Sequence, residues 1–285
     1  MTRKGPFMKA TLRALLLLAA LLLFPCAAPA QTPLRVEFFD VGKADAILIT
    51  TPDARLVLID AGTDKDGKRL AERLEAAGID ALDAMIITHF DKDHVGGADR
   101  ILNALAVSRV VMPEYPKDGK QYEQFIDALS NSEGTQITRL SARESLELPL
   151  AKDGEDIALS ITAAHEDDYG SGEENDFSLA IRLRYGQTRF LFPGDAEDTR
   201  QRELLAEGDV CCDVLKVPHH GRLHDASAAF LYEAWPAIAF VSDSAEEPAN
   251  HALLSLLSEL GTDVHRAKDG DLVVLSDGER VWVEE

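Results

Sequence analysis

Apolar and polar positions along the chain alternate in short runs before they settle into any helical period. Leu34 to Phe39, Ala46 to Thr51 and Arg55 to Ile59 are β-rich, with Asp40-Val41-Gly42-Lys43 as the first turn and Asp60-Ala61-Gly62 as the stop. Three such runs in about 25 residues predict an antiparallel meander. The period then changes. Lys68 to Ala77 sets Leu70, Leu74 and Ala77 on one helical face, and Gly78 ends it. Ala84 to Thr88 reads as a strand, Ala98 to Leu105 as a helix and Ser108 to Met112 as a strand. Residues 113 to 136 are polar, carry Tyr122 and a helix near Tyr122 to Leu129, and read as an insertion. A second set of strands follows at Ile157 to Ala163, Ser178 to Tyr185, Arg189 to Phe192, Asp213 to Val217, Ala237 to Ser242, Leu272 to Val274 and Val281 to Val283. Helices fill Ala196 to Ala206, Ala226 to Glu233 and Ala249 to Leu260. Glu166 to Asp176 is acidic, contains glycine and lacks a hydrophobic period, so a mobile loop is expected there. Two successive halves of mixed β then α character predict an α/β (α+β) fold, with two sheets packed face to face and helices outside. No linker divides them, so residues 31 to 285 are expected to form one domain.

Residues 1 to 30 depart from this pattern. Arg3, Lys4, Lys9 and Arg13 precede the apolar run Ala14 to Phe24, and Ala28-Pro29-Ala30 follows it. A basic start, a short apolar stretch and a small-x-small site read as a secretory signal peptide cut near Ala30. The run is too short for a spanning anchor. The expected product is exported, periplasmic or secreted, without a stable membrane anchor.

Charge narrows the partners. Removing the segment takes four of the 29 basic residues and none of the 50 acidic ones, for a net charge of −25. Such a surface repels a polyanion, which disfavours tight nucleic-acid binding unless a local patch intervenes. Cys211 and Cys212 are adjacent, a spacing that rarely bridges, and read as packing residues before an apolar strand.

Candidate chemistry concentrates at the ends of strands. His89, Asp91, Asp93 and His94 lie within six residues at the end of an apolar run, just before Gly96-Gly97. Imidazole and carboxylate suit zinc, manganese or iron. A polar turn with Asp93 capping the next helix is the competing reading, and it leaves the density of donors unexplained. Asp195 follows Phe190-Leu191-Phe192-Pro193-Gly194, His219 and His220 follow Asp213 to Pro218, and His251 follows Ala239 to Ser242 after a short loop. One arrangement, strand then donor, recurs four times, which predicts one converging site. His165, His224 and His265 read as structural or surface residues.

Thr88-His89-Phe90-Asp91-Lys92-Asp93-His94-Val95-Gly96-Gly97 resembles the His-x-[His/Asp]-x-Asp-His signature of the metallo-β-lactamase superfamily. Phe39-Asp40-Val41-Gly42 with Asp45-Ala46, Asp60-Ala61-Gly62, Asn175 with Ser178-Leu179, Pro193-Gly194-Asp195 and Leu215 to Gly221 resemble its branch shared with the C-terminal domain of the ComEC competence protein. The resemblance implies an αββα sandwich with a metal site at one edge of the sheets. It implies that His89 and Asp91 hold one ion and Asp93 and His94 a second, with Asp195 between them. His220 is added as a ligand, His219 as ligand or proton donor, His251 as a further ligand, and Asp60 as the group orienting a ligand imidazole. Departures stand out: Asp91 occurs where many members have His, Asn175 and Ser178 lie where a further His is common, Lys43-Ala44 replaces Gln-Gly, and Arg222 replaces Ser.

The expected activity is metal-dependent hydrolysis through activated water, with zinc, or manganese at the harder donors, as one or two ions. Asp93 or Asp195 would hold the water and His219 would protonate the leaving group. A phosphodiester or other small-molecule substrate is expected. A lactone or β-lactam substrate, or metal binding without turnover, are the alternatives.

Overall fold

The computed structural model describes residues 32–150, 157–170 and 174–284. The signal-peptide reading of residues 1–30 lies outside the described residues. Seventeen strands are described: β1 (Leu34–Phe38), β2 (Ile47–Thr50), β3 (Leu56–Ile59), β4 (Ala81–Leu82), β5 (Ala84–Ile86), β6 (Ala106–Val107), β7 (Arg109–Pro113), β8 (Gln136–Leu140), β9 (Ser145–Pro149), β10 (Ile157–Thr162), β11 (Ala180–Tyr185), β12 (Thr188–Phe192), β13 (Val214–Lys216), β14 (Ile238–Val241), β15 (Asp263–Arg266), β16 (Leu272–Ser276) and β17 (Val281–Val283). The α-helices are α1 (Asp64–Ala76), α2 (Ala98–Ala104), α3 (Lys120–Ser130), α4 (Asp198–Glu207), α5 (Ser227–Ala234) and α6 (His251–Glu259).

The strands form two mixed sheets, ordered β17-β16-β1-β2-β3-β5-β7-β8 and β15-β14-β13-β12-β11-β10-β9, beside the short pair β4-β6. The first sheet contains the expected antiparallel meander β1-β2-β3, continued in parallel by β5, β7 and β8. The second repeats the scheme, with antiparallel β9 to β12 followed by parallel β13 to β15.

Alternation along the strands explains the layers. Ile49, Val57, Ile59 and Ile86 face Leu159, Ile181, Phe190, Phe192 and Phe240 in the core between the sheets. Phe38 anchors that contact, its ring centroid 4.9 Å from that of Phe240. The intervening Leu48, Leu58, Met85 and Val110 face outward onto Leu70, Leu74, Ile101 and Phe125 of α1 to α3. Leu191, Leu215, Ala239 and Val241 likewise meet Leu204, Phe230, Leu253 and Leu257 of α4 to α6. Central strands are therefore apolar on both faces, which is why they read as continuous runs. The order helix, sheet, sheet, helix follows.

The structure corrects several expectations. Residues 113–136 are no insertion: α3 buries Phe125, Ala128 and Leu129 in the outer core, and β8 pairs in parallel with β7. Helix α1 begins at Asp64 instead of Lys68, because Thr63 and Asp66 cap its N-terminus reciprocally. Strands β16 and β17 join the first sheet beside β1, and His265 lies in β15 at an edge of the second. In the loop expected from Glu166 to Asp176, buried Asp176 accepts hydrogen bonds from the backbone N–H groups of Glu197 and Arg200 at the start of α4. Of the two cysteines only Cys212 packs inside, and Cys211 is exposed.

Candidate metal centre

Parallel neighbours β3, β5 and β7 on one sheet and β12, β13 and β14 on the other present their carboxyl ends to a common edge, where open α/β sheets place ligands. Asp60, directly after β3, is fully buried with φ 55°. Its carboxylate accepts from the Thr88 N–H at 2.8 Å and hydroxyl at 2.7 Å, and stands 2.8 Å from His94 Nδ1. That contact leaves His94 Nε2 free to face the site, the orienting role expected of Asp60.

The turn after β5 closes by packing as much as by hydrogen bonding. The N–H groups of His94 and Val95 both donate to the Asp91 carbonyl. A Cβ on Gly97 would lie 2.3 Å from the Ala61 carbonyl oxygen and 2.5 Å from Gly67 Cα, so only glycine fits where α1 and α2 begin. Asp195 and the His219-His220 pair arrive from the other sheet. His219 and His220 have φ of 45° and 53°, left-handed backbone that a non-glycine residue adopts at a cost.

These segments converge. His94 Nε2 lies 3.4 Å from His220 Nε2 and 3.3 Å from Asp195 Oδ1, while His220 Nε2 lies 2.9 Å from Asp195 Oδ2 and 3.6 Å from Asp93 Oδ2. His89, His94 and Asp195 form one set of mutually close donor atoms, and Asp93, His94 and His220 another. His89 Nδ1 is 3.1 Å from the Thr88 hydroxyl, whereas its buried Nε2 has no partner. An orphaned buried nitrogen beside a carboxylate and a second imidazole fits a divalent cation.

Burial and neighbouring charges both act on each of these groups. Burial, reinforced by His94, pushes His89 down to about 4, leaving its imidazole neutral. Burial alone would lower His94, but Asp195, Asp45 and Asp60 outweigh it and raise its pKa well above the ordinary value. Burial would raise Asp195, and the His220, His94 and Lys216 charges instead hold it far below the usual carboxylate range. Asp93 is lowered against its burial by the His220 hydrogen bond and the charge of His94.

Two predicted donors are placed apart from these sets. Asp91 is held by Lys117 Nζ at 3.0 Å, and belongs to no ligand group among the described residues. His251 opens α6 on the exposed surface, its Nδ1 3.4 Å from the Ser255 hydroxyl. His219 stands one step behind His220, with Nε2 3.9 Å from Asp195 Oδ2 and Nδ1 3.1 Å from Glu197 Oε1. Ser178, in the region where a further histidine is common, accepts the Asp195 N–H at 3.1 Å through its hydroxyl.

Residues given no role from the sequence complete the site. Buried Lys216 pairs with Asp45, lies 3.2 Å from Asp195 Oδ1 and donates to the Gly194 carbonyl at 3.1 Å. The Ser242 hydroxyl donates to Asp45 at 2.6 Å and holds His220 Nδ1 at 2.9 Å. A lysine in an otherwise apolar strand was the available signal for Lys216; nothing local marked Ser242. A cleft of about 250 Å³ adjoins Asp91 and Asp93 and is lined by Lys92, Lys117, Gln121 and Tyr122.

Two sheets between helices, with His and Asp donors gathered at one sheet edge, define an αββα architecture built around a candidate metal site. Residues 39–256 match the Metallo-beta-lactamase superfamily, and the chain belongs to it. It is 28% identical over 253 residues to ComE operon protein 3 of Bacillus subtilis (strain 168), covering 81% of this chain and 30% of that one. It is 26% identical to Recombination protein 2 of Haemophilus influenzae, covering 82% and 27%. The chain thus spans under a third of these relatives' length. Among solved structures, CmlA, a diiron beta-hydroxylase from Streptomyces venezuelae, aligns with TM-score 0.54 at 16% identity, over 90% of this chain and 55% of that one. A long form RNase Z from yeast gives 0.51 at 12% identity, over 87% and 43%. Both likenesses concern the fold.

Proposed function

We propose that this chain is an exported metal-dependent hydrolase of phosphodiester bonds, periplasmic or secreted once residues 1 to 30 are removed. The observation that carries the metal reading is the meeting of His89, His94 and Asp195 in one set of close donor atoms and of Asp93, His94 and His220 in another, with no hydrogen-bond partner for the buried His89 Nε2. Asp93, His94, His220 and Asp195 would hold one ion, zinc or manganese. His89, with Asp195, would hold a second more thinly, since Asp91 is engaged by Lys117. Such an ion supplies Lewis acidity and makes water acidic enough to act as a nucleophile near neutral pH.

The chain's own groups do the rest. Asp93, its carboxylate held ionised against burial by the His220 hydrogen bond and the charge of His94, orients the attacking water by accepting its hydrogen bond. Lys216 holds Asp195 in place. His219 directs Nε2 toward Asp195, 3.9 Å away, where an Nε2–H hydrogen-bonds the departing oxygen. The adjoining cleft sets Lys92 and Lys117 among Asp91, Asp93 and Asp118, and Lys117 is paired with Asp91 and Glu174, so the positive charge that would meet an anionic substrate is that of the ion and of Arg222, 3.4 Å from His219 Nε2. A recombination protein among the relatives supports a phosphodiester. The overall charge favours a small substrate over a long nucleic acid.

Hydrolysis of bis(p-nitrophenyl) phosphate by purified protein, with and without chelator and beside a lactone and a β-lactam, tests the reading. Chelator-sensitive turnover of the diester alone is expected. Turnover indifferent to chelation, or confined to lactone or lactam, would overturn it.

A further inference from the structure

A second convergence of donor atoms lies on the Nδ1 side of the His219 ring. His219 Nδ1 is 3.1 Å from Glu197 Oε1 and 3.2 Å from His224 Nε2, and the three atoms lie within 4.8 Å of one another. The two imidazoles stack with centroids 5.3 Å apart and planes 16° from parallel. One ring nitrogen carries at most one hydrogen. An Nδ1–H committed to Glu197 cannot also make a linear bond to His224, and an Nδ1 lone pair offered to His224 would face the Glu197 carboxylate. A cation between the three atoms removes the conflict. Around tetrahedral zinc, with bonds of about 2.0–2.1 Å, neighbouring donors sit about 3.3 Å apart.

Two further observations point the same way. Asn175 Nδ2 donates to Glu197 Oε1 at 2.9 Å, while its buried Oδ1 has no partner. His219 and His220 hold left-handed backbone, and this geometry turns the first ring toward Glu197 and the second toward Asp195.

We propose that Glu197, His219 and His224 bind a zinc-class divalent ion, separate from the ion or ions at the central cluster, with water in the fourth position. The ion clamps the loop after β13 to the start of α4. His224, read from the sequence as structural or surface, supplies a ligand.

The test counts ions. Purified protein stripped with chelator is titrated with cobalt(II), followed by visible absorption, and its zinc content after reloading is measured by elemental analysis. His224→Ala, Glu197→Gln and Asp195→Asn are compared. The wild type is expected to bind one equivalent more than His224→Ala or Glu197→Gln, and Asp195→Asn to keep that equivalent with a tetrahedral cobalt spectrum. If the central cluster held no ion at all, wild type and Asp195→Asn would each hold one equivalent and His224→Ala none, which still supports the clamp. Equal stoichiometry in the wild type, His224→Ala and Glu197→Gln overturns it.

Discussion

His94 Nε2 and His220 Nε2 lie 3.4 Å apart, although one follows β5 in the first sheet and the other follows β13 in the second. The edge of the sandwich is therefore joined by the same atoms that would hold a metal. Folding brings them together, and an ion between them would couple its binding to the docking of the two sheets.

Asp60 orients one of those imidazoles through its Nδ1, the ring nitrogen opposite the one that faces His220 and Asp195. Asp60→Asn should keep the backbone, because asparagine accepts left-handed φ. It should also keep one acceptor for Thr88. The His94 Nδ1 contact would weaken, and metal affinity at the central site should fall about 10–100-fold. Competition with a chromogenic chelator measures this, and unchanged affinity would show that Asp60 serves the fold alone.

Acid sensitivity has a source away from the centre. Burial would raise Glu207, but Arg200 and Arg182 outweigh it and hold its pKa below the ordinary 4.5. Arg200 Nη1 donates to it at 3.0 Å and Arg182 Nη2 at 2.8 Å. Because the folded state binds this proton more weakly than the unfolded chain, the stabilisation is complete above pH 4.5 and is lost as pH falls through the lower folded value. Urea melts of wild type and Glu207→Gln should thus differ most near neutrality and converge in acid. Parallel pH profiles would sink the assignment.

Gly97 tests the steric closure of the metal loop. A methyl group there meets backbone on two sides, the Ala61 carbonyl and Gly67, and neither can rotate away. Gly97→Ala should lose more than the ~1–3 kcal/mol usual for overpacking. Gly42→Ala, with nothing within 4 Å of its Cβ, should be milder and limited to its positive φ of 71°. Denaturant midpoints of the two variants give the comparison.

The legible parts of this chain were those written locally. His89 to Gly97, Asp195 and His220 each end an apolar run, so period and composition marked them, and both sheets followed from strands buried on two faces. Residues 113–136 misled because α3 fully buries only Phe125, Ala128 and Leu129, with Tyr122 and Ile126 half-buried beside them, and a polar outer face dominated its composition. Asp91 and His251 were marked by donor type alone, and their surroundings are set by long-range contacts: Lys117 lies 3.0 Å from Asp91 Oδ1, and the first turn of α6 leaves His251 exposed. Ser242 and Glu197 were hidden for the same reason, since a serine or glutamate gains its role from a partner more than 20 residues away.

Lys216 supplies a charge that a metal can partly replace. Burial would lower its pKa, yet Asp45 and Asp195 raise it, so the ammonium persists inside the protein between two carboxylates. Lys216→Met fills similar volume while leaving both carboxylates buried without that partner. In metal-free protein the expected loss is about 3–5 kcal/mol, the cost of breaking a buried ion pair from one side. An ion held by Asp195 adds positive charge beside the same carboxylate, so the loss should shrink in metal-saturated protein. Urea denaturation of wild type and Lys216→Met, each with chelator and with zinc, measures the difference. An equal loss under both conditions would mean that Lys216 and the ion act on separate charges, and that Asp195 is not a ligand.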